Sequence, residues 1–104
     1  MSEAATRWRE AVNERVRQGD GTASGQDRRS AFDNTNVPDA ARSLIDKVTR
    51  NAYKVTDEDV AAAKAAGVAE DAIFELVVCA SLGQSTRQLE SALAALEAAT
   101  KETP

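Results

Sequence analysis

Apolar positions along this chain recur at helical spacing and nowhere alternate with period two over a useful length, so the pattern predicts an all-α fold. The densest segment is Ile73, Phe74, Leu76, Val77, Val78, Cys79, Ala80 and Leu82, which covers nearly the whole circumference of a helix from Glu70 to Leu82. A helix that is apolar all round is buried on all sides. A helical core of about sixty to seventy residues offers little cover. The pattern therefore predicts that part of this helix, through Leu76, Val77 and Ala80, is covered by another subunit.

The remaining elements follow from periodicity and punctuation. Glu3 to Gln18 reads as a helix with a narrow docking stripe of Ala5, Trp8, Val12 and Val16. Such a stripe is too thin to hold an isolated helix, so it is expected to pack on the core or on a neighbouring subunit through Trp8. Gly19 to Asn36 has the composition of a flexible loop, with Ala31 and Phe32 as its only anchor. Pro38 suits the first turn of a helix reaching about Tyr53, with Ala41, Leu44, Ile45 and Val48 on one face. A short helix from Asp57 to Ala66 opens on Thr56 and Asp59, a capping-box-like pair, and closes at Gly67. Gly83 interrupts the apolar helix, and a last helix from about Ser85 to Thr100 carries Leu89, Ala92, Leu93 and Leu96 on one face.

Charge divides the chain into two parts. Residues 1–36, the N-terminal helix and loop, balance six arginines against six acids, whereas residues 37–104, the helical core domain, carry seven bases and eleven acids. The whole is at −4 and offers no cationic field for nucleic acid or anionic lipid. No apolar run reaches the length of a membrane span, and MSEAATRWRE has no apolar signal core, so a cytoplasmic protein is expected.

Candidate chemistry is sparse. The chain has no histidine, hence neither the commonest general base nor the commonest metal ligand. Its one cysteine excludes an intrachain disulfide and a cysteine-rich zinc site. Cys79 is either a sensor or peroxidatic thiol or a small buried hydrophobe. Its place toward a helix C-terminus, between Val78 and Ala80, favours the second. Glu75, the one charge between Ala72 and Leu82, is either a pocket carboxylate, or a residue on the solvated edge, or one paired with a base such as Lys47 or Arg87. The acids Asp57, Glu58 and Asp59 complement a helix N-terminus rather than form a calcium loop, and no metal or cofactor is expected. Arg28 and Arg29 read as a solvated pair, without a glycine-rich phosphate cradle.

The order of these segments resembles the alkylhydroperoxidase D-like (carboxymuconolactone decarboxylase) superfamily. The resemblance runs from Pro38 to about Leu96. Its best phrase lies between Ala62 and Ala80: an alanine-rich helix, Ala66-Gly67, the acidic pair Glu70-Asp71, then Ile73-Phe74-Glu75-Leu76-Val77. It implies an alkylhydroperoxidase D-like helical core, here with an added N-terminal helix and long loop, in a homo-oligomer such as a trimer or hexamer. In the peroxidase branch it further implies a Cys-x-x-Cys and a histidine. Counted back from Gly67, the histidine position is Asp59, the cysteine positions are Val55 and Ala52, and the assisting glutamate falls near Ala40. None matches, so the resemblance argues for the fold and against that chemistry. Tyr53 would line a vestigial pocket or pack with its hydroxyl hydrogen-bonded.

The expected function is thus a non-catalytic structural or interaction oligomer. Two alternatives stand beside it. One is an enzyme of the same superfamily, peroxidase or decarboxylase-like, that uses Cys79 or Glu75. The other is an adaptor that recruits a protein partner through residues 1–36.

Overall fold

Local capping signals set where the helices begin and end. The computed structural model describes residues 2–101 and, among them, contains helices, turns and no strand. Helix α1 spans Glu3–Gln18 and starts at Ser2, whose hydroxyl accepts from the Ala5 N–H. Helix α2 spans Gly25–Asp33, α3 spans Asp39–Asn51 and continues into a 3-10 turn at Ala52–Lys54, α4 spans Asp57–Ala65, and α5 spans Glu70–Lys101. At α4 the full capping box forms between Thr56 and Asp59. Its far end closes with Gly67 at φ 104°, where the N–H groups of Gly67 and Val68 donate to Lys64 and Ala63 in the Schellman pattern.

Two expectations are corrected. The segment from Gly19 to Asn36 is not all loop, because α2 occupies its second half. Ser24 caps α2 by accepting from the Asp27 N–H, and Asn34 ends it in the left-handed region at φ 52°. Its polar sequence hides it. Only Ala31 and Phe32 are apolar, but both are buried, and tertiary anchoring rather than intrinsic propensity holds the helix. Nor does Gly83 break the last helix. It lies inside a continuous 32-residue α5, packed against the Phe32 backbone.

One core joins both parts of the chain. Ala31 and Phe32 of α2, Leu44, Ile45 and Val48 of α3, Ala63 of α4, and Ile73, Leu76, Cys79 and Ala80 of α5 form a single cluster. Helix α1 runs antiparallel to α5: the Val16 carbonyl meets Cys79, while Asn13, further from the end of α1, meets Thr86. The radius of gyration is 15.9 Å. A compact domain of about a hundred residues has ~13 Å, and the excess reflects α5, whose last turns from Ala94 onward are exposed along one end of a 58 Å long molecule.

Candidate functional site: the outward face of the last helix

Each sequence-derived candidate has a definite place, and most are structural. Glu75 pairs with neither Lys47 nor Arg87, contrary to expectation. Its Oε2 accepts from the Thr22 N–H at 2.8 Å and its Oε1 from the Ala23 N–H at 3.1 Å, so the carboxylate pins the turn between α1 and α2. Gly21 lies directly against that carboxylate, where a Cβ would collide with it. Lys47 bonds Asp59 instead, at 3.0 Å to both oxygens, and Arg87 donates to the Phe32 carbonyl at 2.7 Å. The Thr56 backbone N–H and then Lys47 hold the Asp59 carboxyl below the ordinary range.

Cys79 is fully buried, and its thiol reaches the Val16 carbonyl at 3.6 Å. Burial pushes its pKa up, which the positive charge of Arg28 only partly opposes. A thiol kept protonated and out of solvent is a poor nucleophile. Beside it, Arg28 is also buried and donates from Nη1 to the Val16 carbonyl at 3.1 Å, so it caps the C-terminal end of α1 rather than sitting as a solvated surface pair with Arg29. Among the described residues no group of three or more His, Cys, Asp or Glu is placed to hold a metal ion. No helix among them is long and apolar enough to cross a membrane.

The subunit-covered residues expected on α5 are also rearranged. Leu76 and Ala80 are covered by the chain's own core, so they are not free to meet a partner, whereas Val77 is half-exposed. The helix is not buried all round: Phe74 is 70 % exposed. Nor does α1 dock through Trp8, which is 72 % exposed. Helix α1 is rotated so that Asn13 faces α5 and donates to Thr86 Oγ1 at 2.9 Å. Val16 still packs against the core, and Val12 is half-exposed. The signal for this rotation was Asn13, a buried polar residue that periodicity assigns to solvent.

What these displacements leave is a coherent surface. At about 100° per residue, twelve positions between Phe74 and Leu96 fall on the half of α5 opposite Gly83. Phe74, Val77, Val78, Leu82, Leu89 and Leu96 are apolar; Ser81, Ser85, Ala92 and Ala95 are small; Gln84 and Gln88 are the long polar side chains. All are half-buried or exposed and none is charged. At the chain's average of 29 % charged residues, such a solvent-facing strip would carry about three.

Aromatic side chains flank this strip on both sides. Between α1 and α5 a concavity of about 230 Å³ is lined by Arg15, Val16, Phe74 and Val78. Val12 and Trp8 continue the same face of α1, one and two turns earlier. On the other side a shallow depression of about 440 Å³ runs between the 3-10 turn and α5, lined by Tyr53, Ser81, Ser85 and Gln88. Tyr53 is 82 % exposed and its ring carries Lys54 Nζ at 5.7 Å, so it is not a packed tyrosine.

Comparison of the chain with protein-family models, curated proteins and solved structures gives no match.

Proposed function

We propose that this chain is a non-catalytic, self-associating helical protein, and that the outward face of α5 is its assembly surface. The carrying observation is the uncharged strip from Phe74 to Leu96, with Phe74 and Leu96 exposed at its ends and Val77, Val78, Leu82 and Leu89 half-buried between them. The largest apolar patch on a soluble protein is often a functional surface. Ala94 to Lys101 lack cover from their own chain, and an isolated helix end of this length is marginal in water. A partner along α5 would supply both the cover and the order.

The alkylhydroperoxidase D-like relationship rests on the phrase between Ala62 and Ala80 and is retained as a proposal for the origin of the core. A peroxidase or decarboxylase-like role is disfavoured by Cys79, which is buried and protonated, and by Glu75, whose oxygens are both engaged by backbone N–H groups. The exposure of Trp8 favours a second reading, in which α1 offers its face to a different protein.

The test is the mass in solution by light scattering. A single chain is 11.1 kDa, and the proposal predicts a multiple of that mass at micromolar concentration. It also predicts that Leu89→Asp returns the protein to one-chain mass with its helix content retained. A native chain that runs as a monodisperse monomer contradicts the reading.

A further inference from the structure

We infer that the partner on this face is a second copy of the chain, its α5 packed antiparallel on the first about a two-fold axis at Ser85. This rests on the self-association reading and specifies its geometry.

The first argument is self-complementarity, which a two-fold contact requires because the same patch meets itself. Ser85 lies midway between Phe74 and Leu96. With Ser85 on the axis, Phe74 faces the other copy's Leu96, Val78 faces Ala92, and Leu89 faces Ser81. Val78 and Leu89 thus meet small residues, the condition for interdigitation, while Phe74 and Leu96 meet each other at the two ends of the strip. At the centre, the small side chain of Ser85 lets the two backbones approach.

The second argument is periodicity. Val78, Leu82, Ser85, Leu89, Ala92 and Leu96 are spaced by four, three, four, three and four residues. That is the two-in-seven repeat of a helix–helix seam; about Ser85 its Val78, Ser85 and Ala92 map onto one another, while Leu82 and Leu89 meet Gln88 and Ser81 of the other copy. The core-facing residues of α5 do not supply this repeat; Ala72, Ile73, Leu76, Cys79, Ala80 and Gly83 spread over the opposite side and stop where the core stops.

Charge decides the orientation. Helix α5 begins with Glu70 and Asp71 and ends with Lys101, as its dipole favours. An antiparallel pair opposes the two dipoles and brings the acidic start of each copy beside Lys101 of the other, which its own chain pairs with Glu97. A parallel pair would stack acid on acid and lysine on lysine, with the two dipoles aligned.

Area decides what else takes part. Twenty-three residues of helix are ~35 Å long and present a strip ~10 Å wide. About 350 Å² per copy falls short of the ~800 Å² of a standard stable interface. The exposed Trp8 and Tyr53 stand on either side of the strip, and aromatic side chains bury roughly 150 Å² or more each. With both, the contact reaches the lower range of specific interfaces, so the pair is a reversible dimer rather than an obligate one.

The test uses the full chain. Ser85 is exposed, so Ser85→Lys and Ser85→Glu leave the fold intact. Each alone sets two like charges against each other at the axis and should weaken association by about a hundredfold. Mixed in equal amounts, the two variants should recover a mixed dimer, whereas Ala94→Lys, exposed on the opposite side of the helix, should change nothing. Orientation is read from spin labels on Ala95→Cys in a Cys79→Ala chain, where an antiparallel pair puts the two labels ~30 Å apart along the axis. If Cys79→Ala fails to fold, Val78→Lys mixed with Ala92→Glu reads orientation instead, since only the antiparallel pair lets these two rescue each other. A native monomer would overturn both the self-association reading and this geometry. A native dimer whose Ser85 variants still associate, or whose labels lie side by side, would overturn this geometry alone.

Discussion

The backbone of Gly83 in α5 lies directly against the Phe32 carbonyl at the end of α2, leaving no room for a side chain between the two helices. Arg87, one turn further on, donates to that same oxygen at 2.7 Å. A residue that looks like a helix breaker in the sequence is therefore the point at which the helix is crossed. Gly83→Ala would gain helix propensity, but its Cβ would meet backbone, which cannot rotate away. The substitution should destabilise the protein by about 2 kcal/mol or more, measured by urea unfolding. A neutral or stabilising result would show that α2 does not sit where it is described.

Glu75 should behave as a loop anchor. Glu75→Gln leaves one acceptor for two N–H groups, so the amides of Thr22 and Ala23 should exchange faster and the chain should lose about 1–2 kcal/mol. Unchanged protection at Thr22 and Ala23 would refute the role.

Cys79 should be silent in the folded chain. A disulfide reagent should label it only as fast as the protein unfolds, because the thiol is covered and its pKa is raised by burial. Cys79→Ala should fold and cost about 1–2 kcal/mol. Rapid stoichiometric labelling of the native protein, or oxidation by peroxide faster than a free thiol, would reopen the enzymatic alternative.

Two carboxylates set the acid limb of stability. Arg50 and Asn34 hold Asp46, and Thr56 and Lys47 hold Asp59, both below the ordinary range. The folded state thus favours their charged forms. Their contribution is complete above the unfolded value near pH ~4 and is lost as the pH falls through the lower folded values. Melting temperature should accordingly drop as the pH is taken below ~4, and Asp59→Asn should flatten that drop while lowering stability at neutral pH. An acid limb unchanged in Asp59→Asn would contradict the assignment.

Strong local signals made much of this fold legible. Glu3–Gln18 is helical over the span its pattern predicts, and the Thr56–Asp59 box and Gly67 mark α4 from sequence alone. The failures share a cause. Helix α2 has two apolar residues and is held by what Phe32 and Arg28 touch across the fold, which no local window contains. The rotation of α1 is set by one buried amide, Asn13, and a hydrophobic count treats that residue as outward. The apolar girdle of α5 looks, in the sequence, like one buried surface. In fact Leu76 and Ala80 belong to the monomer core, Val77 and Leu82 pack partly against it, and Phe74 and Val78 belong to a second stripe that continues through Leu89 to Leu96. Only the position of Gly83 on the helix separates the two.

Sedimentation equilibrium of the full native chain beside Leu89→Asp tests the central claim most directly. The account predicts reversible association of the native chain at micromolar concentration, one-chain mass for the variant across the same range, and equal helix content for both. A native protein that stays at 11.1 kDa throughout, or a variant that associates as tightly as the native chain, would contradict it.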